Sequence, residues 1–270
     1  MALPRRFPNQ IVENRIPGLK SLRCINLKLQ NFFNATDAIC IDKNNDDQAA
    51  ESSSAALKKM DRIHLPSPIF NLGAANLDKC LSITCFPLSG RELLCVDQDG
   101  RTILFDADDR SVVTMADLNK PKRWPISIFI PNHSSSSSGG SGSLFIMETI
   151  VRSERHYSDH QFEEFLDISL PLPPFVRDPN FSQIRTNIIS YAVVSGGSEI
   201  CISVNKAGTY CFHTVNHTWR HVGDWALPFH GKVEYVPELK LWFGLSDKTN
   251  HLAAADLSIM EDGDDGGGRS

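Results

Sequence analysis

Apolar residues in this chain come in short runs and rarely return at the three-to-four-residue interval of a helix. The runs RELLCV, RTILFD, SLFIMETIV, FEEFLDISL, NIISYAVV, EICISV, TYCFHT and LWFGLS are rich in β-branched and aromatic side chains. Gly, Pro, Asn or Asp bounds most of them. This predicts strands, because such side chains fit a pleated surface and the bounding residues favour turns. The proline-rich connectors LPSP and LPLPPF exclude helix around Pro66 and Pro173. The one helix candidate covers residues 53–60.

The runs also repeat. ELLCV-DQDG-RTILFD aligns with CISV-NKAG-TYCFH and again with LWFGLS-DKTN-HLAAAD. Each copy is an apolar strand, a polar turn and a second strand. The turns open at Asp97, Asn205 and Asp247 and close at Gly100, Gly208 and Asn250, residue types that tolerate a left-handed backbone. A four-stranded propeller blade needs a unit of roughly 40 to 55 residues. The spacing from Asn205 to Asp247 fits one unit, and that from Asp97 to Asn205 leaves room for one more, filled by SLFIMETIV and FEEFLDISL. Upstream, LRCINLKLQNFF reads as the closing strand of a further blade. The expected fold is all-β: a propeller of about five or six irregular blades, incomplete or closed by poor blades.

Within the unit that starts at Ser195, Gly196 and Gly197 precede the second strand, and Phe212 is followed seven places later by Trp219. Phe105 and Val112 repeat the spacing with valine for tryptophan, and Ser89 and Gly90 stand for the double glycine. This order resembles the kelch family. Its physical logic is that glycine lets neighbouring strands approach, while paired aromatics fill the wedge between blades. A wider resemblance covers most of the chain. ENRIPGLKSLRCINL, ISYAVVSGGSEICISV, GTYCFHTVNHTW and GDWALPFHGKVEYVPELKLWFGLS are similar to an uncharacterised plant family, expanded in grasses and regarded as kelch-like. The resemblance implies a kelch-like fold and a plant intracellular setting, and it brings no catalytic residues. The chain departs from the pattern in its short N-terminus and in lacking tryptophan between His160 and Leu170.

Three stretches interrupt the strand pattern: a polar linker at 42–59, a serine–glycine loop at 132–143, and an acidic, glycine-rich tail at 259–270. They divide the chain into an N-terminal segment, 1–41, with a first blade-like strand, and propeller blades over 60–258.

Composition narrows the partners. A formal net charge of -5 argues against nucleic acid, whose phosphates call for a concentrated basic face. The basic runs PRR and KPKR, the latter from Lys120 to Arg123, read as solvated loops. No apolar stretch is long enough for a signal peptide or a membrane span. The seven cysteines (Cys24, Cys40, Cys80, Cys85, Cys95, Cys201, Cys211) sit mostly inside apolar runs. They read as reduced core thiols of a cytoplasmic or nuclear protein.

Candidate chemistry is sparse. His213, His217 and His221 recur every four residues, which on a helix would make a metal-binding face, but their neighbours alternate as strands around a turn. His156, His160, Glu163 and Glu164 form a second cluster, read as a solvated loop. The DQDG turn at Asp97 suggests calcium until the matching turns mark it as a hairpin position. Asp106 occupies a place from which a carboxylate hydrogen-bonds the following turn. Trp225, Phe229, Tyr235 and Trp242 read as core in preference to a peptide-binding surface. No nucleophile elbow, phosphate loop or dinucleotide fingerprint occurs. The expectation is therefore a non-enzymatic scaffold or adaptor that binds another protein, with no catalytic residues, metal or cofactor. The alternative is an enzyme or carbohydrate-binding propeller with a central pocket.

Overall fold

The structure is a computed structural model that describes residues 9–13, 19–29, 64–73, 83–88, 91–132, 142–151, 160–166, 169–178 and 186–257. The expected linker at 42–59, the helix candidate at 53–60 and the tail at 259–270 lie outside the described residues, as does most of the 132–143 loop. The chain divides into two units, Met1–Ile83 and Thr84–Ser270.

In the first unit, strands β1 (Asn9–Glu13), β2 (Leu19–Cys24) and β3 (Phe70–Gly73) form one antiparallel sheet with β2 in the middle. The central position buries Ser21 and Leu22 of β2. Strand β3, from the stretch the sequence pattern assigned to the propeller, pairs here with β2.

The second unit begins with a four-stranded sheet of β4 (Thr84–Pro87), β5 (Glu92–Val96), β6 (Thr102–Asp106) and β7 (Ser111–Thr114), paired in chain order. A three-stranded sheet follows, of β8 (Pro125–Pro131), β9 (Gly142–Glu148) and β10 (Phe162–Glu164). The last sheet holds two antiparallel groups. One contains β11 (Ile188–Val194), β12 (Glu199–Val204), β13 (Gly208–His213) and β14 (Thr218–Gly223). The other contains β15 (Phe229–Val236), β16 (Leu241–Ser246) and β17 (Leu252–Ala255). Their first strands run parallel, with Ser190 opposite Gly231 and Ala192 opposite Val233.

Strand alternation explains why these segments are nearly continuously apolar. Successive side chains point to opposite faces, and on inner strands such as β9 and β12 both faces are covered. On β9, Leu144 and Ile146 pack with Phe86, Leu94 and Leu118 against the β4–β7 sheet. Phe145 and Met147 point the other way, into a layer with Phe162, Ile200, Ile202 and Phe212. On β12, Ile200, Ile202 and Val204 join that layer while Cys201 faces the next one, with Val194, Phe229 and Trp242. A sheet with an apolar layer on each side is the blade condition that the repeat implied.

The predicted turns are hairpins. Val96 pairs with Thr102, Val204 with Gly208, and Leu245 with Leu252 around them. At the first turn the Asp97 carboxylate accepts hydrogen bonds from the Asp99 and Arg101 amides at 2.9 Å and from Arg101 Nε at 2.7 Å. The carboxylate is consumed by its own turn. Gly100 (φ 89°) and Asn250 (φ 54°) take the left-handed backbone expected of them.

The cysteine expectation needs correction. Cys201 and Cys211 stand directly opposite on β12 and β13, with Cα atoms 4.1 Å apart, and are joined as a disulfide. Side chains on facing, non-hydrogen-bonded positions are close enough to bond.

Candidate functional site

The first strands of three sheet groups, β8, β11 and β15, together with Trp242 of β16, line a cleft of about 690 Å³. Its apolar wall comes from Phe129, Val193 and the paired rings of Tyr235 and Trp242, whose centroids lie 5.1 Å apart. Its polar rim is Lys232 and Glu234, joined Nζ to Oε1 at 2.5 Å, with both side chains exposed. Tyr191, in register with Lys232, has its phenol pushed up by burial and by the nearby Glu234 carboxylate.

The turn at Ser195–Gly197 forms one edge of the cleft. Gly197 has φ 104°, and a Cβ there would meet Ile130 Cγ2 at 2.9 Å. The double glycine read from sequence thus permits a close approach of this turn to β8. Thr214 Oγ1 closes the turn, its one proton shared between the carbonyls of Ser198 at 3.0 Å and Gly197 at 3.2 Å.

The aromatic set divides. Phe229 and Trp242 are core, at 1% and 2% exposure, and Trp225 packs half-buried against the same layer. Tyr235 alone of the four is exposed, at 38%, and reaches the cleft.

The three spaced histidines do not converge. His213 Nδ1 accepts from the amides of Val215 and Asn216, as Asp106 Oδ1 accepts from those of Asp108 and Asp109. Residues 106 and 213 follow the aromatics Phe105 and Phe212, so both perform the turn-capping role expected of Asp106. His217 stacks on Phe212, its ring centroid 6.0 Å away, and lies 3.9 Å from Glu164. His221 faces Asp224 at 3.3 Å and the Tyr210 ring. Among the described residues, no group of three or more His, Cys, Asp or Glu side chains could hold a metal ion.

The second cluster and the KPKR run were read as solvated loops, and the structure corrects one residue in each, Glu163 and Lys122. Glu163 lies on β10, and its carboxylate forms an ion pair with Lys122 Nζ at 3.1 Å, each side chain only 1% exposed. Alternation along β10 sends Phe162 into one apolar layer and Glu163 to the opposite face, where Ile146 is its register neighbour. Burial lowers the Lys122 pKa, and the attraction of Glu163 and then Glu148 opposes that shift. Lys122 also donates to the Lys120 carbonyl at 2.6 Å. His160 has a left-handed backbone (φ 62°), and His156 lies outside the described residues. An acidic residue between Phe162 and Phe165 was a usable hint of this pair, but no spacing rule links it to Lys122.

Antiparallel sheets stacked through shared apolar layers, with their first strands gathered at a cleft, define an all-β fold of the propeller class. The chain belongs to the DUF1668 family, described as a protein of unknown function, whose model matches residues 5–266. No curated protein matches it. Among solved structures, it is similar to the Myceliophteria thermophila Cps50 (Swd1) β-propeller domain. That match has 15% identity, covers 64% of this chain and 50% of that one, and gives a TM-score of 0.38. It is also similar to KlAtg21 in complex with the coiled-coil of AgAtg16, at 14% identity over 88% of this chain and 60% of that one, with a TM-score of 0.41. The matches thus span less than two thirds of either solved chain. Among the described residues, no helix is long and apolar enough to cross a membrane.

Proposed function

We propose that this chain is a kelch-like binding module of a plant cell's cytoplasm or nucleus, which holds a segment of another protein at the cleft and catalyses no reaction. The observation that carries the reading is the cleft's composition. An apolar wall with an exposed tyrosine lies beside one lysine–glutamate pair, which suits an extended segment with a hydrophobic anchor and one polar group. Among the described residues, Asp97, Asp106 and His213 serve turns, His217 stacks on Phe212 and Glu163 holds the buried ion pair, and none of these lines the cleft. The kelch-like assignment is supported by Gly197 at its close approach and by Phe212 facing Trp219.

Tyr235 favours one second reading, since an exposed ring beside polar groups also suits a sugar face. Both readings are tested with a variant carrying Tyr235→Ala and Lys232→Glu, and with Leu252→Ser, exposed and outside the cleft lining, as control. The protein-binding reading expects captured partner peptides to be lost in the cleft variant and kept in the control, while a glycan array stays silent. Tyr235-dependent retention of a glycan would replace it with the carbohydrate reading. Turnover of a substrate that disappears in the folded cleft variant would overturn the non-enzymatic part.

A further inference from the structure

Cys85 and Cys95 stand directly opposite each other on β4 and β5. The Leu88 amide donates to the Glu92 carbonyl at 3.1 Å, which fixes the phase of the ladder. Hydrogen-bonded and non-hydrogen-bonded pairs alternate along antiparallel strands, so Phe86–Leu94 is hydrogen-bonded, and Pro87–Leu93 and Cys85–Cys95 are not. Pro87, which has no N–H to give, fits that phase. The same reasoning places Cys201–Cys211 at a non-hydrogen-bonded site, because the Thr214 amide donates to the Ser198 carbonyl three positions away along the ladder. Both cysteine pairs therefore occupy the same kind of position. Cα atoms there lie about 4.5 Å apart, at the near end of the disulfide range.

The pairs differ in access. Cys201 and Cys211 are sealed in the core at 0% exposure. Cys95 is likewise buried at 2%, but Cys85 is half-buried on β4, the terminal strand of its sheet. We propose that Cys85 and Cys95 form a second, reversible disulfide that clamps β4 to β5 in response to a low-molecular-weight disulfide. The Cys85 thiolate attacks that disulfide, forming a mixed disulfide and releasing one thiolate. The Cys95 thiolate then attacks the Cys85 sulfur, forming the cross-strand bond and releasing the second. Two cysteine thiols are oxidised, one small disulfide is reduced to two thiols, and the two cysteine protons end on those products.

The test equilibrates the full chain in glutathione buffers from fully reduced to fully oxidised, then quenches with acid, alkylates under denaturing conditions and digests with trypsin. Cleavage at Arg91 separates Cys85 from Cys95 but leaves Cys80 and Cys85 in one peptide, so a bond to Cys95 and a bond to Cys80 give different products. The proposal expects Cys85 and Cys95 to lose alkylation in parallel as the buffer becomes oxidising. Their two peptides become linked, and dithiothreitol reverses the change. In Cys85→Ser, Cys95 stays alkylated at every poise. A bond from Cys85 to Cys80, Cys24 or Cys40 would overturn it. So would a lasting glutathione adduct on Cys85 with Cys95 still alkylated, or full alkylation of both throughout. The wild-type peptide map decides the matter even where the variant fails to fold.

Discussion

Phe212 on β13 and Trp219 on β14 face each other directly across the strand pair, with ring centroids 5.0 Å apart at 49°. Phe212 is fully buried and also meets Phe162 edge-on at 4.8 Å. Trp219 is half-buried, where burial was expected, because β14 is the outer strand of its group. Its Nε1 donates to the Pro171 carbonyl at 2.8 Å, linking β14 to the segment after β10. Trp219→Ala is expected to cost about 3 kcal/mol, and Trp219→Phe about 1 kcal/mol for the lost hydrogen bond, in urea denaturation. Equal losses in the two variants would remove the packing role.

The Tyr191 phenol has a raised pKa, caused first by burial and then by Glu234. A group whose folded pKa exceeds its unfolded value, here 10.0, contributes stability that is full below pH 10 and lost as pH rises through the folded value. The 295 nm titration of wild type minus Tyr191→Phe should therefore show one tyrosine ionising later than free tyrosine. Unfolding curves should show the stability difference between the two proteins changing only above pH 10, against wild type. A difference titration centred at or below pH 10 contradicts this.

Breaking the Lys122–Glu163 pair leaves one charge buried alone. Lys122→Met or Glu163→Gln should each destabilise by about 3 to 5 kcal/mol, whereas the double change Lys122→Met, Glu163→Leu should cost much less. Denaturant melts of the three proteins form the check. Simple additivity would mean that the pair is solvated.

Gly196 and Gly197 are both left-handed, yet they should respond differently. Nothing lies within 4 Å of a Cβ at Gly196, so Gly196→Ala bears only the backbone cost of about 1 kcal/mol. Gly197→Ala adds the clash with Ile130 and should cost more. Matched thermal melts give the ranking, and a reversed order would refute the close-approach argument.

His213 does the work of Asp106 in the equivalent turn. His213→Ala should lose about 1 kcal/mol, and His213→Asp should restore most of it. A His213→Asp protein as unstable as the alanine variant would show that the imidazole has another task.

Local features of the fold were legible, and features that depend on sheet assembly and packing were not. Strand, polar turn and strand are neighbours in the chain, so the turns opened by Asp97, Asn205 and Asp247 could be read directly. So could the Phe105–Val112 and Phe212–Trp219 pairings, which are both register partners. The Cys201–Cys211 pairing was also available in principle. Once Val204 and Gly208 close the hairpin, the two cysteines are equally far from its turn. Lys122, in the connector before β8, and Glu163, on β10, meet only once their sheet is assembled, and the different exposure of Tyr235 and Trp242 is set by the layers packed around them. Neither leaves a mark in local spacing.

Among the described strands of the second unit, every pairing but one joins consecutive strands, so each can zip from its own turn. Ser190 and Gly231 meet only after three further strands have been laid down between them. The entropy of closing a loop grows with its length, so this seam forms late and opens early. The cleft walls include both sides of that seam. Whatever fills the cleft would therefore act as a clasp, and amide exchange along β11 and β15 should slow on occupation before that of any hairpin does.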